Sequence, residues 1–380
     1  MTCTLLCQKP EADFWCAYAQ LWRNSTHPSP FQAPAILRFY TEHLVNGKVA
    51  LFSAWKDKQL LGATLFRQTK GHWTFLSDLK TDANFFVLHR NLSSEQQRFF
   101  FEQFFRSVER ENWSLMLNHK AAWASYMPVF EAALRKSGLY SLSVDYSVCP
   151  IAEAPTSQDL FEQVRASHNT RRKLSKFINQ EKGSFEVLLD DTDLEGWAED
   201  FCNAHVLRWA NTPTPSAYRD PQRRNFLKGC LRAWQEDGLL VRFALRTPQG
   251  GRIGLVAGLI EGETLIYHTP TFHPRYAHVS PGRVLIYYIA QWMAENGLRR
   301  LDFGDGNEPY KYYVASKDQV LRRIFVSRKS NLPFILKTHF IRTVRTSARL
   351  YRFYQNHLKP LYRHFFGRAA LFSALLLIRR

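Results

Sequence analysis

The spacing of apolar positions divides this chain into two similar runs of elements. In the first, Ala12 to Trp22 predicts a helix. Lys48 to Trp55 and Gln59 to Gln68 predict a strand hairpin around a Lys-Asp-Lys turn, and Trp73 to Leu79 a further strand. Ser94 to Arg110 follows a capping Ser93 and carries Phe100, Phe101, Phe104, Phe105 and Val108 at helical spacing. Trp113 to Leu117 predicts a strand, Tyr126 to Ser137 a helix ended by Gly138, and Tyr140 to Val148 another strand.

Cys149 to Thr156, with two prolines, reads as a break, which places a domain boundary near residue 150. Beyond it, Asp159 to Gln180 predicts one helix and Phe185 to Leu189 a strand. Helices follow at Leu194 to Trp209 and Arg223 to Glu236. Leu239 to Leu245 and Arg252 to Glu261 form a hairpin, and Glu263 to Thr269 is the next strand. Pro281 to Asn296 is a helix, Gly297 turns the chain, and Arg300 to Phe303 is a strand. The order hairpin, strand, helix, strand, helix, strand thus occurs twice without obvious sequence repetition. The expectation is an α/β protein with mixed sheets: residues 1–150 and 151–330 as two domains, and 331–380 as a basic tail.

Composition narrows the class. With 380 residues, 45% hydrophobic and 22% charged, the chain suits two packed domains. It has no apolar run of eighteen residues and no basic, apolar leader at its start. Six scattered cysteines show no paired metal-ligand spacing. Reduced thiols, no metal site and a cytoplasmic setting are expected. The net charge of +18 is concentrated at one end: from Gln319 to Arg380 there are 14 Lys and Arg and no Asp or Glu. Such a tail matches an anionic surface.

Two segments carry candidate chemistry. The first is Ser280-Pro281-Gly282-Arg283 at a helix start. Ser280 suits the N-cap and Pro281 the first helical position, while Gly282 lets a ligand approach the backbone. A helix N-terminus attracts anions, and Arg275 and Arg283 add cations for a diphosphate. The second is Asp302-Phe303-Gly304-Asp305-Gly306-Asn307-Glu308-Pro309-Tyr310-Lys311, whose carboxylates, phenol and amine can supply a base, an acid and a clamp.

Together these motifs resemble the signature of the GNAT-type acetyltransferase group of bacterial cellulose and exopolysaccharide biosynthesis (CelD/BcsL-like). That signature pairs Ser-Pro-Gly and an apolar helix with Asp-Phe-Gly-x-Gly-x-x-x-Tyr-Lys. Residues 10 to 325 follow the group's order of elements, and the Arg171-Arg172 helix and His205 with Trp209 are also similar. The resemblance implies tandem GNAT domains, a fold shared with Fem-type aminoacyl transferases. It further implies acetyl-CoA or another acyl-CoA as donor, held by Arg275 and Ser280 to Arg283. The acceptor would be a small molecule or a glycan precursor. Tyr310 would be the acid toward the leaving thiolate, and Asp305, Glu308 or His268 the base. Lys311 would orient a carboxylate or hold an anionic acceptor. Asp302 would be a partner in the strand, and Arg171, Arg172 and Trp209 would bind substrate. The donor loop from Arg275 to Gly282 has one glycine where the common GNAT loop has two, which leaves an aminoacyl donor as the alternative.

In the tail, Leu332 to Leu358 predicts a two-faced helix. Arg342, Arg345, Arg349 and Arg352 lie on one side, and Leu336, Phe340, Val344, Tyr351, Tyr354 and Leu358 on the other. Lys359-Pro360 ends it, and the apolar run Ala369 to Ile378 is too short to span a bilayer. Peripheral contact with an anionic membrane at its inner face is expected through 332–380. A non-catalytic docking scaffold is the rival reading. Nucleic acid would rest on charge alone and is not expected.

Overall fold

The computed structural model describes residues 1–44, 47–212 and 215–353. The N-terminal half runs β1 (Thr2–Leu6), α1 (Ala12–Arg23), α2 (Pro34–His43), β2 (Val49–Lys56), β3 (Gln59–Thr69), β4 (His72–Phe75), β5 (Val87–Leu88), α3 (Ser94–Arg110), β6 (Leu115–Ala121), α4 (Met127–Lys136) and β7 (Tyr140–Glu153). The C-terminal half runs α5 (Ser157–Ala166), α6 (His168–Asn179), β8 (Ser184–Leu188), α7 (Leu194–Arg208), α8 (Pro221–Glu236), β9 (Leu240–Arg246), β10 (Arg252–Glu261), β11 (Thr264–Phe272), α9 (Pro281–Glu295) and β12 (Arg300–Asp302). Then come β13 (Lys317–Ser327), α10 (Leu332–Thr346) and α11 (Ala348–Phe353).

Thirteen strands form one mixed sheet in the order β1-β2-β3-β4-β6-β13-β7-β12-β11-β10-β9-β8, with β5 added to β3. The expected boundary at residue 150 falls inside a strand: β7 continues to Glu153. Its first part pairs with β13 within the N-terminal sheet, from Tyr140↔Ser327 to Val148↔Val320. Its last residues, Ile151 to Glu153, pair with β12 of the C-terminal sheet. β13, at the far end of the chain, inserts between β6 and β7. The two halves therefore complete one sheet by sharing their last strands.

The sequence reading placed no element at 317–327. Arg322-Arg323 interrupts its apolar alternation, and the ladder to β6 shifts register between Arg322 and Ile324. A bulge moves the phase of the side chains, so a period-two reading fails there. The helix expected over 159–180 is two helices. Ser167 leaves helical geometry and caps α6, accepting from the Thr170 N–H at 3.4 Å.

The halves also share a core. Phe31, Ile36, Leu37 and Tyr40 pack with Trp197, Phe201, Leu231 and Trp234 in one buried cluster. Among the bonds that cross that contact, Trp234 donates to the Pro30 carbonyl at 3.0 Å, Asp237 accepts from the Ala35 N–H at 2.8 Å, and Arg38 pairs with Glu236. On the opposite face, a phenylalanine-rich cluster from α3 and α4 fills the N-terminal half. α5, α6 and α9 fill the C-terminal half.

The tail helix departs from its expected faces. Phe334, Thr338, Ile341 and Arg345 point inward, whereas Leu336 and Phe340 are exposed. Arg345 is buried with its guanidinium 4.1 Å from the Tyr146 ring centre and hydrogen-bonded to the Tyr146 carbonyl. The helix pauses at Ser347, and the expectations for residues 354–380 lie outside the described residues. Among the described residues, no helix is long and apolar enough to cross a membrane.

Candidate functional site

The site begins where two parallel strands part. β11 and β12 pair only over Thr264–Ile266 and Arg300–Asp302. From Tyr267 onward, β11 is paired to β10 alone among the described residues. Its ladder slips between Leu255 and Ala257, and Thr269 takes a left-handed φ of 47°. A β-branched residue in that region costs about 1–3 kcal/mol, a strain typical of binding sites.

A cleft of about 420 Å³ lies beside this opening. Ser280, Pro281, Gly282 and Arg283 line it, as expected, together with Tyr310, Tyr313, Tyr267, Arg172, Lys173 and Arg208. The start of α9 is unusually open. Ser280 occupies the N-cap position at φ 52°, and its side chain makes no cap bond. α3 offers the contrast, because Ser93 and Gln96 close its first turn as a full capping box. The positive end of α9 is thus left to face the cleft. A Cβ built on Gly282 meets no atom within 4 Å. Gly282 is therefore not required by packing, and its missing side chain only widens the approach to the helix end.

Cations surround that end. Arg283 lies 3.8 Å above the Tyr313 ring and reaches Thr170 Oγ1 at 3.4 Å. Lys173 donates to the His278 carbonyl at 2.6 Å. Arg208, which the sequence reading missed, sits 4.4 Å over Phe272 and donates to the Pro270 carbonyl at 3.4 Å. Burial lowers the Arg208 pKa, while Tyr310 and Tyr267 act in the opposite direction. Eight expected residues, Arg171, Trp209, His268, Arg275, Asp302, Asp305, Glu308 and Lys311, do not line this cleft. Arg275 and Arg171 are exposed, and Trp209 stacks on His205 at 5.9 Å.

The loop after β12 forms the other wall. Its lysine is a clamp. Lys311 is 3% exposed, and Nζ donates to the carbonyls of Gly304, Asp305 and Gly306 at 3.1, 2.8 and 3.0 Å. The exposed Glu308 carboxylate completes its shell at 3.0 Å. A lysine so engaged holds the loop and has little capacity left for an acceptor. Asp302 accepts from the Gly304 N–H at 2.8 Å, and burial raises its carboxyl to about 6. Tyr310 is directed to the cleft, with its phenol pushed up by burial and by Glu308.

The N-terminal half supplies the remaining partner, which sequence reasoning did not find. Asp82 Oδ2 lies 3.1 Å from His268 Nδ1, and Asp82 Oδ1 accepts from the Asp305 N–H at 3.1 Å. A Cβ on Gly304 would come within 2.6 Å of Asp82, so this junction needs glycine at φ 63°. Burial pushes the Asp82 carboxyl up, but His268, the Asp305 N–H and Lys311 outweigh it and hold it below its usual value. An ionised Asp82 favours the tautomer of His268 that carries its proton on Nδ1. His268 is packed edge-on to Phe31 and Trp234, at 5.4 and 5.3 Å. The Asp305 carboxylate lies 3.5 Å from His119 Nε2. Among the described residues, no group of three His, Cys, Asp or Glu side chains is arranged to hold a metal.

Comparison with known proteins bears on this arrangement. Residues 164–312 match the family described as acetyltransferase (GNAT) domain. No curated protein matches the sequence. Among solved structures, FemX is similar at 9% identity and TM-score 0.60, covering 88% of this chain and 99% of its own. L-PGS from Bacillus licheniformis is similar at 9% identity and TM-score 0.56, covering 87% and 97%. The C-terminal domain of a putative lysylphosphatidylglycerol synthetase from Agrobacterium fabrum is similar at 11% identity and TM-score 0.54, covering 86% and 94%. Residues 164–312 thus match an acetyltransferase (GNAT) domain, and over most of its length the chain shares the fold of these solved structures.

Proposed function

We propose that this protein transfers an acyl group, acetyl first, from acyl-CoA to a hydroxyl or amine of a sugar or carrier-linked precursor in cell-surface polysaccharide biosynthesis. The observation that carries the transferase reading is the uncapped α9 N-terminus, ringed by Lys173, Arg208 and Arg283, beside the parted strands β11 and β12. An anionic donor is attracted to that helix end, and its thioester reaches the gap. His268 Nε2 takes the proton from the attacking amine or hydroxyl, while Asp82 orients the ring and steadies the imidazolium. The new bond forms at the acyl carbon as the carbon–sulfur bond breaks. Backbone N–H groups of β11 past the parting at Ile266 face the developing oxyanion, and Tyr310 returns a proton to the thiolate.

The polysaccharide role rests on the resemblance of Asp302 to Lys311 to the cellulose and exopolysaccharide group. One further reading has support. The two-half architecture matches FemX along nearly its whole length, and the donor loop folds as a 3-10 turn over Pro274–Val279 with a single glycine after it. An aminoacyl donor onto a cell-wall precursor fits those features. Calorimetric titration of the purified protein with acetyl-CoA, longer acyl-CoAs and aminoacyl-tRNA separates the readings. Micromolar binding of an acyl-CoA supports the first. Binding of aminoacyl-tRNA alone overturns it.

A further inference from the structure

One face of α10 has no partner among the described residues. Its inner face docks on the sheet: Phe334 and Ile341 pack with Met116 and Phe325, and the Thr338 hydroxyl lies 2.7 Å from that of Tyr140. Its outer face is apolar where a solvated helix would be polar. Leu332, Leu336 and Phe340 are 62%, 70% and 58% exposed. Spaced four apart, they form one continuous stripe along the helix. Leu350 and Phe353 of α11 are exposed as well.

The charged side chains on α10 and next to it in the chain have one sign. Lys329 precedes the helix, and Lys337, Arg342 and Arg349 flank it. From Gln319 to the last residue the sequence has 14 Lys and Arg and no carboxylate side chain. A protein partner of ordinary surface would meet this patch with mixed charge. A sheet of anionic headgroups over hydrocarbon complements both parts: the leucines and the phenylalanine enter the acyl boundary, and the cations stay at the phosphates.

We propose that the Leu332–Leu336–Phe340 stripe docks the protein on anionic phospholipid bilayers. This surface lies apart from the donor cleft, so its failure leaves the transferase reading untouched. The test is co-sedimentation of the full chain with vesicles of phosphatidylglycerol and phosphatidylcholine, and with phosphatidylcholine alone. The double variant Leu336→Gln/Phe340→Gln removes apolar area without changing charge, and its circular dichroism confirms that it folds. Wild type should partition onto the mixed vesicles, weaken in about 0.5 M salt, and prefer them to neutral ones. The variant should bind at least about tenfold less tightly. Equal partition of variant and wild type would show that tail charge alone binds lipid and would overturn the assignment. So would equal binding to neutral vesicles, or no binding at all. A wild-type dimer that the variant dissociates, with no vesicle binding, would give the stripe to a second copy instead.

Discussion

His268 Nδ1 and Asp82 Oδ2 meet at 3.1 Å across the junction of the two halves, so the first half orients a candidate base in the second. Replacing His268 with Ala should lower kcat by about a hundredfold to ten-thousandfold, the range for loss of a proton-transfer group. Asp82→Asn should lower kcat by a similar factor and leave donor affinity unchanged. The double variant should be no slower than His268→Ala, because both residues act through one imidazole. Additive losses in steady-state kinetics would separate the two roles.

Tyr310 faces the cleft with a phenol that burial keeps protonated. Tyr310→Phe should lower kcat by about a hundredfold or more, with little change in melting temperature or donor affinity. Full activity would pass the acid role elsewhere. Tyr313 is occupied under Arg283, and Tyr312 hydrogen-bonds Asp318 at 2.9 Å, so neither is poised as well.

Gly282 offers a clean probe of the donor site. A Cβ there meets no protein atom within 4 Å, so Gly282→Val should leave folding intact. The valine would stand over the helix end and weaken donor binding by about tenfold or more. Unchanged affinity in calorimetry would move the donor off α9.

Lys311 should matter for stability before it matters for turnover. Lys311→Met removes the donor shared by three carbonyls of one loop and leaves Glu308 unpaired. A loss of about 3 kcal/mol is expected in urea unfolding. A variant as stable as wild type would contradict the clamp.

Two half-buried carboxyls set a pH dependence of stability. Burial, with the charge of Asp302 nearby, raises Glu261 to about 7, and burial raises Asp302 to about 6. Both folded values lie above the unfolded ones, so the folded protein binds the extra protons. Stability should therefore fall as the pH rises from about 4.5 to 7. Glu261→Gln should flatten that fall and add about 2 kcal/mol at pH 8, read from melting curves. A larger fall in the variant would refute the shift.

These expectations show what the sequence makes legible. Hairpins and capped helices announce themselves: Gln59 to Gln68 and Ser94 to Arg110 were readable from periodicity and Ser93 alone. The α9 start was readable because Ser-Pro-Gly has local chemistry. Local reasoning fails where meaning comes from distant contacts. Asp82 sits in a polar loop, and only the fold brings it to His268, 186 positions along the chain. Lys311 looked catalytic because an amine beside carboxylates suggests chemistry, yet backbone carbonyls claim it. The tail helix was read with its arginines on one side and its apolar residues on the other, but Arg345 is buried on the Tyr146 ring while Leu336 and Phe340 are exposed.

The shared strands also decide how the molecule can be divided. A fragment ending at residue 150 lacks β13, which lies between β6 and β7. It would present two raw β edges and a Phe-rich core missing Leu321, Ile324 and Val326. A fragment beginning there lacks most of β7, the long partner of its own β13. Limited proteolysis should find no cut near residue 150 that releases two stable pieces, and unfolding should be a single transition. This sharing of final strands makes the two halves inseparable: neither can be lost, recombined or borrowed by another protein without the other.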